Sequence, residues 1–211
     1  MADVYQQRLA IVGKKVVEVL NTKGFKAQYV NTKEEALKAA LALIGPEATV
    51  GLGGSMTVTA VGLKQALLDR GNVVFDHQGK TGEEGRKLRR AELTCGVFVA
   101  SSNAITLNGE LINVDGIGNR VAAMIYGPDK VVVIAGANKV VKDEAEGRER
   151  IREIAAPLNT IRLNCKTPCT ATGYCMDCNA PGRICNATVV LHRPTNGMDF
   201  HVIIIGETLG F

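Results

Sequence analysis

Between Asn164 and Asn186 the chain reads NCKTPCTATGYCMDCNAPGRICN. Five of its six cysteines fall there, at a spacing of C-x3-C-x5-C-x2-C-x6-C: Cys165, Cys169, Cys175, Cys178 and Cys185. Thiolates are nucleophiles, redox groups and soft metal ligands, so thiols gathered in one segment point to one of those chemistries. Cys175-Met176-Asp177-Cys178 is a C-x2-C chelate. Zinc ribbons pair two such knuckles across a longer loop. A compact run wrapped round one centre suits an iron–sulfur cluster of the [4Fe–4S] type. Zinc is the alternative, and redox thiols or disulfides are a third reading. The ligand assignment is Cys169, Cys175, Cys178 and Cys185, with Cys165 as the alternative. Thr167, Thr170 and Thr172 are placed to hydrogen-bond the sulfurs and tune the potential.

Other chemistry-bearing residues sit at turns that follow predicted strands. Gly51-Leu52-Gly53-Gly54-Ser55-Met56-Thr57 lets backbone approach an anion at Gly53 and Gly54, with hydroxyls at Ser55 and Thr57. It lacks the lysine of a P-loop, and a plain strand-to-helix turn is the bland reading. Asp115-Gly116-Ile117-Gly118-Asn119-Arg120 offers Asp115 as a general base or a helix cap. Arg120 could hold a carboxylate or phosphate bidentately, and Asn119 lies beside it. Gly136-Ala137-Asn138-Lys139 brings a lysine that is either an electrophile or a surface group. His77, after Asp76, is a candidate for acid–base work or a satisfied structural group.

The elements that must position these residues follow from periodicity. Leu9, Val12, Val16, Val19 and Leu20 predict a helix over 4–20, and Lys26–Val30 a strand. Thr32 and Glu35 form a capping box that opens a helix to Ile44. Strands are predicted at Ala48–Gly51, Val73–Phe75, Gly96–Ser101 and Val131–Ala135, and helices at Thr57–Arg70, Glu83–Leu93 and Asp143–Ile154. Asn108-Gly109 predicts a hairpin, and Asp115–Arg120 leads into a helix ending at Tyr126. This alternation predicts an α/β domain, a mostly parallel sheet flanked by helices on both faces. Thr188–Leu191 and Phe200–Ile205 are read as strands that close the sheet. Residues 1–211 form one domain, with 1–44 as a lead-in and 164–186 as a cysteine-rich insertion.

Composition narrows the function classes. A hydrophobic content of 46% with 22% charge is that of a globular chain. Only 4% aromatic residues, no Trp and a net charge of +4 argue against nucleic acid. No apolar run reaches membrane-spanning length, and MADVYQQRLA lacks the apolar core of a signal peptide. A cytoplasmic protein without membrane contact is expected. In a reducing compartment clustered cysteines are more often metal ligands or redox groups than disulfides.

The run SSNAITLNGELINVDGIGNRVAAMIYGPDKVVVIAGANKVV resembles the LUD domain (DUF162), found in lactate utilisation proteins. GLGGSMT and AAPLNTIRLNCKTPC fit the same pattern, and the likeness runs from about residue 45 onward. The resemblance implies a fold similar to the ribose-5-phosphate isomerase, glucosamine-6-phosphate deaminase and CoA-transferase group, whose members bind sugar phosphates or CoA esters at such glycine turns. Two departures limit it. Thr94-Cys95 stand where an Asp is expected, and Ile117 to Arg120 stand in place of an isomerase's acidic pair.

Three functions follow. One is a cytosolic redox protein with a small carboxylate or phosphorylated metabolite at the turns, an iron–sulfur cluster, and a redox partner protein, in the setting of lactate or 2-hydroxy-acid utilisation. The second is a non-redox isomerase, deaminase or CoA-transferase relative with structural zinc, for which Glu110 is the nearest nucleophile. The third is a non-catalytic ligand or iron–sulfur sensor subunit. An oligomer is compatible with each.

Overall fold

The computed structural model describes residues 4–211. Helix α1 (Val4–Thr22) packs through Leu9, Gly13, Val16 and Leu20, which recur at three- and four-residue steps. After β1 (Lys26–Val30), Thr32 caps α2 (Lys33–Leu43) by accepting from Glu35 N. The Glu35 carboxylate accepts in return from the N–H of Asn31, one residue before the cap. Strand β2 (Val50–Leu52) lies slightly later than the predicted one. The single helix predicted over Thr57–Arg70 is two: α3 (Met56–Val61) and α4 (Leu63–Asp69). Gly62 separates them, at φ +77°, a left-handed conformation that ends one helix before the next begins.

Next come β3 (Val74–Asp76), α5 (Gly82–Glu92) and β4 (Val97–Ala100). The predicted hairpin is β5 (Ala104–Thr106) with β6 (Leu111–Asp115), turning at Gly109 with φ +78°. Then follow α6 (Asn119–Ile125), β7 (Lys130–Gly136), a single 3-10 turn (Ala137–Lys139) and β8 (Val140–Val141). Helix α7 (Glu144–Arg150) starts at an Asp143 cap and runs through a π turn (Ile151–Ala155) into α8 (Ala156–Arg162). The short α9 (Pro168–Thr172), β9 (Ala187–Leu191) and β10 (Asp199–Ile205) complete it.

Six strands form an all-parallel sheet in the order β1-β10-β7-β4-β2-β3. Its central strands are apolar on both sides, as burial under two helical layers requires. Val131 and Val133 face α1 and α6 in one core, and Val132 and Ile134 face α2, α3 and α4 in the other. A smaller mixed sheet, β8-β5-β6-β9, packs its own cluster of Ala104, Ile112, Val141, Ile151 and Ala156.

The two C-terminal strands do not close one sheet together. Strand β10 is fully inserted between β1 and β7, and β9 joins the small sheet beside β6. Burial explains the division. From Val202 to Ile205 every residue of β10 is buried, so it needs cover on both faces, whereas Thr188 in β9 is exposed.

Candidate functional site

Parallel strands end on the same side, so the residues after β2, β3, β4 and β7 meet at one edge of the main sheet. There they line a cavity of about 530 Å³ with the end of β6 and the start of α6. Gly53, Gly54, Ser55, His77, Asp115, Asn119, Arg120 and Lys139, all sequence candidates, border it. Thr57 does not. It is fully buried, donates to Leu209 O at 3.0 Å and accepts from Lys139 Nζ at 3.0 Å.

The glycine turn is shaped by close approach. A Cβ on Gly53 would stand 2.9 Å from the Phe98 ring, and Gly54 adopts φ +67°. Ser55 Oγ caps α3 by accepting from Val58 N at 3.2 Å, and its hydroxyl hydrogen remains to donate.

Asp115 and Arg120 are bound to the protein itself. The guanidinium donates to Asp115 Oδ1, Ser101 O, Asn113 Oδ1, Asn103 Oδ1 and Val114 O. Asp115 Oδ2 accepts from Val121 N at 2.9 Å and so anchors the start of α6. Both side chains are largely buried, Arg120 at 12% and Asp115 at 7% exposure. Arg120 therefore braces β6 against α6, and its donors are committed before any ligand arrives. Asp115 takes the capping role rather than that of a free base.

His77 is placed differently. Its Nδ1 is 2.7 Å from Glu92 Oε1, and its backbone N–H donates to the same oxygen. Asn119 donates to the other oxygen of Glu92, at 3.4 Å. Glu92 is 1% exposed at the end of α5, so the pair is a buried carboxylate orienting a half-buried imidazole. The opposite nitrogen, Nε2, faces the turn: it lies 3.6 Å from where a Gly54 Cβ would be. That is the geometry of a proton carrier held in one orientation. The sequence points to His77 and misses Glu92, because α5 reads as a charged surface helix and its inward face depends on how it lies against β3.

Lys139 is 3% exposed, not a surface lysine. Its Nζ donates to Thr57 Oγ1 at 3.0 Å and Ser101 Oγ at 3.1 Å. Burial first, then the charges of Arg150 and Arg120, push it down from 10.5 to about 7. Arg89 and Arg162 also border the cavity. The Arg89 Nε is buried and has no hydrogen-bond partner among the described residues. Glu110, the candidate nucleophile of a transferase, lies outside the cavity; it accepts from Thr106 Oγ1 and pairs with His192.

A second cavity, of about 210 Å³, is bordered by Cys169, Cys175, Cys178 and Cys185. Cys165 borders neither cavity. All the cysteines are free thiols. Helix α8 ends in a Schellman motif: Asn164, at φ 51°, donates to Ile161 O and Cys165 N donates to Thr160 O. That reversal turns the chain toward the cysteines. Cys169 Sγ lies 3.3 Å from the hydroxyls of both Thr160 and Thr167. Thr170 bonds Thr167, and Thr172 bonds backbone carbonyls instead of sulfur. Asp177, at φ 45°, donates its N–H to Cys175 Sγ at 3.4 Å within the C-x2-C pair. Arg183 donates to the carbonyls of Cys178 and Cys185 and pairs with Asp177.

The thiols influence one another. Burial pushes Cys185 up, Arg183 pulls it down, and Cys175, Cys169 and Cys178 raise it further. Among the described residues no three Cys, His, Asp or Glu side chains close on a single metal-ion position. Cys169, Cys175, Cys178 and Cys185 nevertheless border one cavity. A cubane cluster sets its four ligating sulfurs wider apart than one ion does, so the donor set fits a cluster in type and number. The sixth cysteine, Cys95, is 2% exposed in the main core and pushed up to about 11 by burial.

Among the described residues no helix is long and apolar enough to cross a membrane. No curated protein matches the sequence significantly. One similar solved structure is the crystal structure of a DUF162 family protein from Deinococcus radiodurans. It is 14% identical, with a TM-score of 0.56 over 93% of this chain and 98% of that one, a likeness of fold. The LUD domain pattern matches residues 13–205, nearly the whole length over which the two sheets and the cysteine segment are built, and the chain belongs to the LUD domain family.

Proposed function

We propose that the protein is a two-centre redox component. A small carboxylate or phosphorylated metabolite occupies the cavity at the carboxyl edge, and Cys169, Cys175, Cys178 and Cys185 hold a [4Fe–4S] cluster beside it. The observation that carries this reading is a common wall: Val114, Ile151, Ala156, Ile184 and Cys185 border both cavities. The π turn Ile151–Ala155 contributes to that wall, a distortion often found at functional sites.

The chain's own residues divide the work. Arg89, with its unpartnered Nε, and Arg162 attract and orient the anion. His77, steadied by Glu92, holds or moves a proton beside the glycine turn. Arg183 keeps the backbone of Cys178 and Cys185 in register, and the Thr160 and Thr167 hydroxyls sit on Cys169 sulfur, where such contacts tune a cluster's potential. The cluster, when bound, supplies one-electron transfer. A redox partner protein then serves as source or sink for that electron.

Anaerobically purified protein tests the reading. Iron and acid-labile sulfide near four of each per chain support it. Stoichiometric zinc, or no metal at all, overturns it. Thermal-shift measurements against carboxylates and phosphates test the other centre; a ligand at a hundred times its Kd adds about 2.7 kcal/mol of stability.

A further inference from the structure

Lys139 has a chemistry that anion binding alone does not use. Lys139 is almost wholly buried and still borders the carboxyl-edge cavity. Its hydrogen-bond partners are two hydroxyls, of Thr57 and Ser101, and among the described residues no carboxylate pairs with it. A buried ammonium without a counter-charge is costly, and two arginines nearby add to that cost. The free amine is therefore within reach at neutral pH, and a free amine in a cavity lined by Arg89, Arg162 and a steadied histidine is a nucleophile facing an anion site.

We propose that Lys139 forms an imine with an anionic carbonyl compound, a ketone or aldehyde that also carries a carboxylate or phosphate. The inference rests on the reading of this cavity as an anion site. The Nζ lone pair adds to the carbonyl carbon and a C–N bond forms. The C–O bond then breaks, and both amine hydrogens depart with the oxygen as water. Ser101 and His77, which border the same cavity, are the groups able to relay those protons. Thr57 and Ser101 position the nitrogen, and the charge on the ligand selects which carbonyl compounds remain long enough to react.

Reductive trapping tests this. The intact protein is incubated at pH 7 with glyoxylate, glycolaldehyde phosphate or uncharged glycolaldehyde, then with cyanoborohydride, and the adducts are mapped by peptide mass spectrometry. At that pH Lys139 holds a free-amine fraction on the order of a thousandfold above that of a surface lysine. Adduct concentrated on Lys139, with glyoxylate or glycolaldehyde phosphate ahead of glycolaldehyde, supports the proposal, and the better of the two names the anion. Adduct spread over surface lysines, or equal yields from all three probes, overturns it. Thermal shifts with the same probes separate the two readings. A shift without adduct on Lys139 overturns the imine and leaves the anion site standing. Neither shift nor adduct overturns both. Lys139→Met supplies a second measure: it is expected to abolish the mapped adduct, and an unchanged total adduct would contradict the assignment.

Discussion

At the carboxyl-edge cavity most polar side chains have partners inside the protein, the Arg89 Nε excepted: Arg120 is ringed by acceptors from β6 and from the turn between β4 and β5, and Glu92 accepts from His77 and Asn119. At the cysteine cavity the order is reversed. Contacts from Arg183 and Asp177 fix the segment, while Cys169, Cys175, Cys178 and Cys185 border one cavity. The first region is largely hydrogen-bonded as folded, with the Arg89 Nε left over. The second gathers groups that resist ionising together, a conflict a bound cation relieves. One is built by the sheet; the other, on the proposed reading, would be held together by the cluster it binds.

The sharpest way to break this comparison is to remove thiols. Cys175→Ser combined with Cys178→Ser, which border only the cysteine cavity, is expected to abolish bound iron, yet leave the thermal shift by carboxylates or phosphates intact. Loss of both properties would mean that the cavities are one site. The opposite disruption is Arg120→Ala, which leaves the Asp115 carboxylate buried without its cation. That should destabilise the fold by about 3–5 kcal/mol, read by urea unfolding.

Lys139 gives a graded test. Between pH 7 and 10.5 the unfolded chain keeps a proton that the folded chain has released, so stability rises with pH through that window. The slope is about 1.4 kcal/mol per pH unit, and it vanishes below pH 7, where both forms are protonated. Lys139→Met should flatten the rise and stabilise the protein at pH 7, measured by unfolding at several pH values. Arg183→Ala is the mildest change. Its donors are partly exposed, so a loss of about 1 kcal/mol at the cysteine loop is expected, seen as several-fold faster iron release to a chelator, with melting of the main sheet unchanged.

Much of the frame is legible in the sequence, because short runs rich in β-branched residues such as VFVA and VVVIA suit strands under two layers. Thr32, Asp143 and Gly109 mark their caps and turn by residue type alone. Periodicity reports burial and not neighbours. Hence β9 and β10 read alike and part company in the fold, and Gly62 reads as a tolerated helix residue until its φ is known. The cavity residues announce themselves by following strands. Their roles do not, since Arg120 as a brace and Glu92 as a partner depend on which acceptors the tertiary fold supplies. Of the thiols, the chosen four border one space while Cys165 stands aside, and the hydroxyl of Thr160 on Cys169 is invisible to spacing because it arrives from α8.

The insertion of β10 between β1 and β7 has a consequence for how the molecule comes into being. Until residues 199–205 are available, β1 has no neighbour in the sheet, and α1 cannot settle over the core it shares with Val202 and Ile204. Such distant pairing makes for slow assembly, in which early-made parts wait for late ones. During synthesis the cysteines emerge ahead of that closing strand. On the proposed reading, loading of Cys169–Cys185 and locking of the sheet would then be events close in time, and a cell that loads the thiols late would be loading a chain whose inserted strand β10 is already in place.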